Sequence, residues 1–169
     1  VITNMEKTLA ARRLRKELEQ FSTANEFGLK VTSPVFSPKL KDNELAEWSI
    51  LMDAPPSSVY AGEEYALTVK FNAKYPIEPP AITFCADKKG GWKPPKHEHI
   101  YSNGVICMSL LANDYSPALT LQQILIAIQS MLSSAKKKKR PSNDSSFVRK
   151  FGFKVNPRKL QWEFHDENC

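Results

Sequence analysis

Between Ala10 and Phe21 the apolar residues Ala10, Leu14, Leu18 and Phe21 recur at intervals of four, four and three. That spacing lines one face of a helix, with arginines between the apolar positions. Thr3 and Glu6 stand at capping-box spacing and predict the start of this helix, while Gly28 marks the region where it ends. Two β-prone runs follow, LKVTSPVF from Leu29 and LAEWSILMD from Leu45. In EYALTVKFN the pattern alternates cleanly. Tyr65, Leu67, Val69 and Phe71 point one way and Ala66, Thr68 and Lys70 the other, as in a half-buried antiparallel strand. The prolines of KYPIEPP exclude helix and central-strand pairing, after which AITF reads as a last short strand. Ala86 to Lys96 is rich in Gly, Pro and Lys and predicts a surface loop. Thr120 and Gln123 form a second capping-box spacing, followed by the stripe Leu121, Ile124, Leu125, Ile128, Met131 and Leu132. A buried second helix follows from it. The run Lys136 to Arg140 is expected to close this helix, with positive charge against its carbonyl end. Beyond Pro141 the chain is polar until Phe147, Phe151, Phe153, Trp162 and Phe164, a tail expected to dock on the rest.

Length and composition narrow the class. At 169 residues the chain fits one domain that buries a core without staples. No apolar run approaches the ~20 residues of a membrane helix, and the first residues contain no signal-like apolar stretch. A soluble protein in a reducing compartment is the expectation. Cys85, Cys107 and Cys169 are odd in number and lack C-x-x-C spacing, which argues against a disulfide framework and a zinc cage and for free thiols. The net charge of +6 is concentrated in ARRLRK and KKKKR, so acidic partners fit. The lysine run also has the composition of a nuclear import signal or nucleic-acid patch, but no aromatics interleave it, and a solvated helix end is preferred.

The chemistry concentrates in HEHIYSNGVICMSLL, from His97 to Leu111. Cys107 has three readings here: nucleophile, metal ligand or small core residue. Burial is the commonest fate of a free cysteine, and H-x-H with a distant cysteine is not a recognised metal spacing. Cys85, at the end of AITFC, reads as a packed core thiol, and His97 as a structural hydrogen-bonder of the loop.

The order of elements, with KYPIEPP, HEHIYSNGVICMSLL and DYSPALTLQQIL at these separations, resembles the ubiquitin-conjugating enzymes. In that family Tyr-Pro-x-x-Pro-Pro precedes a His-Pro-Asn tripeptide whose third residue lies eight positions before the active cysteine, and a Trp-Ser-Pro-Ala-Leu-Thr loop follows. Cys107 stands eight residues after His99. Glu98 and His99 replace Pro and Asn, Tyr115 replaces Trp, and the loop before His97 is longer than usual. After the second helix the chain lacks the usual two further helices and the acidic residue near the cysteine. The histidine in the Asn position, with a tail ending in Trp-x-x-His-Asp-x-x-Cys, resembles the W-type members of the family.

The resemblance implies an α+β ubiquitin-conjugating (UBC) fold, a four-stranded antiparallel meander flanked by helices. It divides the chain into a core, residues 1–140, and a divergent tail, residues 141–169, that packs near the active site. It implies ubiquitin carried as a thioester on Cys107 and passed to protein amines. The thiolate is the nucleophile, and exchange between thiols needs no built-in base. When an amine attacks, hydrogen-bond donors must stabilise the oxyanion. His99 ranks first for that role and Asn103 second. The W-type likeness implies transfer to the α-amino group of flexible N-termini. At pH 7.4 an α-amine is roughly a quarter neutral and a lysine only about 0.1%. The KKKKR run, where the family has an acidic residue, is expected to repel a lysine ammonium.

The family's RING or U-box ligase face maps onto Arg12, Arg13, Lys16, Ile77, Ser116, Pro117 and Ala118. The ubiquitin-activating enzyme uses overlapping basic residues of the first helix, so the two partners exclude each other. Trp162 is expected to face substrate. No metal or cofactor is expected, ATP being used by the activating enzyme, and neither a membrane nor nucleic acid is expected as a partner. Cytoplasm and nucleus are the implied locations. A lysine-directed conjugating enzyme and an inactive scaffold of the same fold are the rival readings, with nucleic-acid binding behind them.

Overall fold

The computed structural model describes residues 8–23, 27–36, 44–87 and 89–160. The capping pair Thr3 and Glu6, and Trp162 and Cys169, lie outside these residues. Helix α1 spans Leu9–Thr23. Thr8 Oγ1 accepts from the Ala11 N–H at 3.1 Å, satisfying a donor that the first turn leaves unpaired. Ala10, Leu14 and Phe21 are buried on one face. Strands β1 (Leu29–Phe36), β2 (Glu44–Asp53), β3 (Glu64–Asn72) and β4 (Ala81–Phe84) form one antiparallel sheet in chain order. The expected meander is therefore present.

Strand register explains the alternation. β2 pairs with β3 through Trp48↔Val69 and Ile50↔Leu67, and β3 with β4 through Leu67↔Phe84 and Val69↔Ile82. Every one of those six side chains is buried, and Trp48 meets Phe71 edge-on at 4.9 Å between centroids. The opposite face carries Glu47, Ser49, Thr68, Lys70 and Thr83, all half-buried. Helix α2 (Leu121–Ser134) has the full capping box, the Thr120 side chain accepting from Gln123 N–H and the Gln123 side chain from Thr120 N–H. It buries Leu121, Ile124, Leu125, Ile128 and Leu132 in the core shared with α1 and the sheet. Each such side chain contributes roughly 1.5–3 kcal/mol by leaving water.

Four expectations need correction. Helix α2 ends at Ser134, and Ala135 is already extended, so the lysine run lies beyond the helix and does not cap its dipole. The tail is not devoid of helix: α3 spans Asp144–Phe151, with Asp144 in its first turn, Arg149 and Lys150 in its last, and Gly152 at φ +71° ending it. Cys85 is half-buried beside Thr68 Oγ1 at 3.3 Å rather than sunk in the core, and burial raises its thiol pKa. Cys85 is a free thiol, but Cys107 is disulfide-bonded. Among the described residues no helix is long and apolar enough to cross a membrane.

Candidate active site

Cys107 sits where a tight turn meets the sheet. Gly104 N–H donates to Tyr101 O and Tyr101 N–H to Val105 O, each at 2.9 Å, and Phe84 N–H of β4 donates to Gly104 O at 2.9 Å. Gly104 adopts φ +90°, and a Cβ there would lie 1.9 Å from Phe84 O, so the approach of turn to strand requires glycine. Val105 then bridges to Thr83 and Ile106 to Ile100. The Cys107 N–H donates to His99 O at 2.8 Å, which brings the two family positions into one loop.

The tail packs onto that loop. Tyr101, Val105 and Cys107 form a small apolar cluster with Phe147, Val155 and Leu160, and Phe147 stacks on Tyr101 with centroids 3.7 Å apart. Helix α3 holds the turn from both sides: Asp144 Oδ1 accepts from Ser102 N–H at 2.7 Å, and Asn103 Nδ2 donates to Gly152 O at 2.7 Å. The Asn103 amide oxygen accepts from Val105 N–H at 3.3 Å. With both ends of its amide engaged and only 4% of its surface exposed, Asn103 joins turn and tail. Its burial and its tie to Gly152 leave Asn103 behind His99 as the oxyanion donor. Cys107 itself is 3% exposed.

The two histidines do different things. His97 is buried, its Nδ1 accepts from His99 N–H at 3.0 Å and its Nε2 lies 3.2 Å from Met131 O. An acceptor at Nδ1 requires the proton on Nε2, which donates to Met131 O. Burial, then the neighbouring His99, holds the His97 pKa below that of an ordinary histidine. His99 Nδ1 is buried without a partner among the described residues. Such an orphan has hydrogen-bonding capacity to spare.

The basic run is largely committed. Lys138 pairs with Glu63 and Lys139 with Glu98 at 2.6 Å. Arg140 donates from Nη1 to Pro95 O at 2.5 Å and Ile100 O at 3.0 Å, and from Nη2 to Pro94 O at 2.8 Å. Lys136 and Lys137 stay exposed. The expected five-charge field facing an incoming amine is thus reduced to a smaller one. Nothing in the sequence singled out Arg140 from the lysines before it.

A second surface gathers the remaining expected residues. Arg12 and Lys16 are exposed on α1, Ile77 is 68% exposed after the cis Tyr75–Pro76 bond, and Ser116, Pro117 and Ala118 are exposed before α2. Arg13 turns inward to tie them together. Its Nε donates to Glu17 Oε1 at 2.7 Å, and its Nη atoms to Pro117 O at 3.0 Å and Leu119 O at 2.6 Å. The buried Glu17 also accepts from Tyr75 O–H at 2.7 Å and from Leu121 N–H at 2.9 Å. Its i, i+4 spacing to Arg13 was the signal available in the sequence. Tyr115 O–H reaches Pro76 O at 2.7 Å, and burial raises its pKa to about 12. Among the described residues no three His, Cys, Asp or Glu side chains cluster as metal ligands would.

A four-stranded antiparallel meander, a buried helix behind it, and a cysteine loop backed against the last strand define an α+β UBC-type fold. The ubiquitin-conjugating enzyme family model matches residues 13–151, and the chain belongs to that family as a ubiquitin transferase. The chain is 40% identical over 159 residues to ubiquitin-conjugating enzyme E2 W of Caenorhabditis elegans, covering 94% of this chain and 97% of that protein. It is 38% identical over 158 residues to the probable ubiquitin-conjugating enzyme E2 W-A of Danio rerio, with the same coverage. The solved ubiquitin-conjugating enzyme E2 UbcA1 of Agrocybe aegerita superposes with a TM-score of 0.76 at 36% identity, over 89% of this chain and 99% of that one. Within the family the likeness is to the W-type.

Proposed function

We propose that this enzyme carries ubiquitin as a thioester on Cys107 and delivers it to the α-amino group of protein substrates with flexible N-termini, together with a RING or U-box ligase. The observation that carries the reading is the bond between Cys107 N–H and His99 O, which fastens the nucleophile to the residue bearing an uncommitted buried imidazole nitrogen. The working form is the reduced thiol. Its thiolate attacks the carbonyl of ubiquitin bound to the activating enzyme, and the activating enzyme's thiolate leaves. An amine then attacks the new thioester, the C–S bond breaks, Cys107 departs as thiolate and the amine proton passes to solvent or to His99. His99 also serves as the donor to the transient oxyanion, in line with the requirement that such donors be held in place beforehand.

Preference for α-amines is supported by the carboxylates among the described residues of the site. Of the carboxylates on this loop and its cover, Glu98 is paired with Lys139 and Asp144 accepts from Ser102 N–H. With these groups engaged, the amine must arrive neutral. That favours an α-amine over lysine by about two orders of magnitude in reactive fraction near pH 7.4. Arg12, Lys16, Ile77 and the Ser116–Ala118 loop supply the ligase surface, and the exposed apolar Ile77 fits its centre. Ubiquitin and the activating enzyme complete the partners. ATP is consumed by the latter, and cytoplasm and nucleus are the proposed setting.

Incubation of reduced protein with activating enzyme, ATP and ubiquitin, followed by a non-reducing gel, tests the carrier step. The expected result is a thiol-sensitive adduct absent from Cys107→Ala. No adduct with folded wild-type protein would leave the scaffold reading in its place.

A further inference from the structure

We propose that Arg140 is a positioning residue for ubiquitin transfer: its guanidinium clamps the Pro94–Ile100 loop and thereby sets His99 against Cys107. The proposal deepens the reading of Cys107 as the ubiquitin carrier and rests on it. It also gives the basic run a task that neither a solvated helix end nor a charge field describes.

The loop from Pro94 to Ile100 has little regular pairing of its own. Among the described residues its ladder pairing reduces to isolated bridges, His97↔Ile100 within the loop and Ile100↔Ile106, and Tyr60 O–H donates to Lys96 O at 2.7 Å. Pro94 and Pro95 are buried but have no N–H, so each brings a carbonyl and no donor to the interior. Ile100 is fully buried. Arg140 supplies donors to all three carbonyls, at 2.8, 2.5 and 3.0 Å. A planar guanidinium with five fixed N–H groups can reach three separate oxygens at once, whereas a lysine ammonium offers a single point of charge.

Those carbonyls bracket the segment that carries His97 and His99. Pro94 and Pro95 precede His97, Ile100 follows His99, and His99 O receives the Cys107 N–H. A shift of this loop therefore moves His99 relative to Cys107, although the bonds described for Arg140 go to backbone carbonyls. Burial lowers the Arg140 pKa, and Asp144 only partly offsets that, so the cation is held chiefly by carbonyl dipoles. Lys139, one residue earlier, pairs with Glu98 on the exposed side of the same loop. Pro141, one residue later, is buried and fixes the backbone from which the guanidinium reaches.

The test compares Arg140→Ala, Arg140→Lys and Lys136→Ala, the last an exposed residue with the same charge change as Arg140→Ala. Each reduced protein is loaded with ubiquitin, and discharge to a peptide with a single α-amine is followed across amine concentrations, with folding checked by circular dichroism. Arg140→Ala is expected to load but to discharge about 10- to 100-fold more slowly at saturating amine, the scale of rate lost by small misplacements, with the half-saturating concentration little changed. Added ethylguanidinium restores part of the rate in Arg140→Ala and none in Arg140→Lys. Lys136→Ala discharges as wild type.

Wild-type rates in folded Arg140→Ala, or equal losses in Arg140→Ala and Lys136→Ala, would overturn the clamp. Where Arg140→Ala fails to fold, Arg140→Lys decides: a reduced saturating rate in the folded protein supports the fork, and an unchanged rate overturns it. Failure of the wild-type protein to load is a different result. It would remove the carrier reading before the clamp is tested.

Discussion

Two loops of this enzyme are each held by one arginine that donates to backbone carbonyls, and the two anchors differ in kind. Arg13 binds Pro117 O and Leu119 O while also pairing with the buried carboxylate of Glu17. Burial works against the Arg13 cation, but Glu17 outweighs it and the net pKa is raised. Arg140 binds three carbonyls, no carboxylate bond to it is among those described, and its pKa is lowered. The proposed ligase face is thus locked to the core by charge, and the cysteine loop is held by dipoles. A docking surface gains from rigidity. The cysteine loop depends instead on three carbonyl bonds from a single side chain.

The largest expected effect lies on the rigid side. Glu17→Ala leaves Arg13, Tyr75 O–H and Leu121 N–H without their shared acceptor, and breaking such a buried pair costs about 3–5 kcal/mol. Urea unfolding should show this loss, with ligase binding weakened in parallel; an unchanged midpoint would mean the face is held by something else. On the looser side Gly104→Ala forces a Cβ onto Phe84 O at a backbone angle of φ +90°. Strain of about 1–3 kcal/mol precedes any cost of the collision. Thioester loading should fall more than global stability, because the displaced segment carries Cys107. Equal falls in both would show that the turn belongs to the core.

Acid distinguishes the two regions next. Because the His97 pKa is lowered on folding, the unfolded chain takes up a proton below about pH 6.5 that the native loop refuses. Stability contributed at neutral pH is therefore lost as pH falls through that range. Glu63, Glu78 and Glu98, whose pKa values lie below the ordinary carboxylate value, lose their contributions only at lower pH. Urea midpoints between pH 7.5 and 5.5 should fall in the wild type and change less in His97→Gln; parallel slopes would remove His97 as the cause. The smallest change in stability is expected from Ile77→Ala, within about 0.5 kcal/mol, since the side chain is 68% exposed. Ligase affinity should nevertheless drop by about tenfold in a titration, the loss typical of a central apolar contact.

These regions also differ in how far they can be read from sequence. The four strands and α2 are legible because half-buried strands alternate with period two and a buried helix carries one apolar stripe. Thr120 and Gln123 fix the start of α2 in both sequence and structure. Helix α3 is not legible: its eight residues include only Phe147, Val148 and Phe151 as apolar positions, and its place depends on docking to Tyr101 and Ser102. Charge misleads in the same way at the lysine run, where Glu63 and Glu98 are far away in sequence. Cys107 is visible through its motif, while the role of Asn103 in joining the turn to Gly152 of the tail appears only in the fold. Local patterns record elements, and only the fold records which polar groups have already been used.

Delivery of ubiquitin from Cys107 to α-amines can be read from the product itself. The most direct measurement is mass spectrometry of the product formed on a flexible substrate that presents both a free N-terminus and several lysines near pH 7.4. Ubiquitin is expected to be joined predominantly to the N-terminal residue, with no product from Cys107→Ala. Predominantly lysine-linked ubiquitin would contradict it and mark the enzyme as a lysine-directed member of the family.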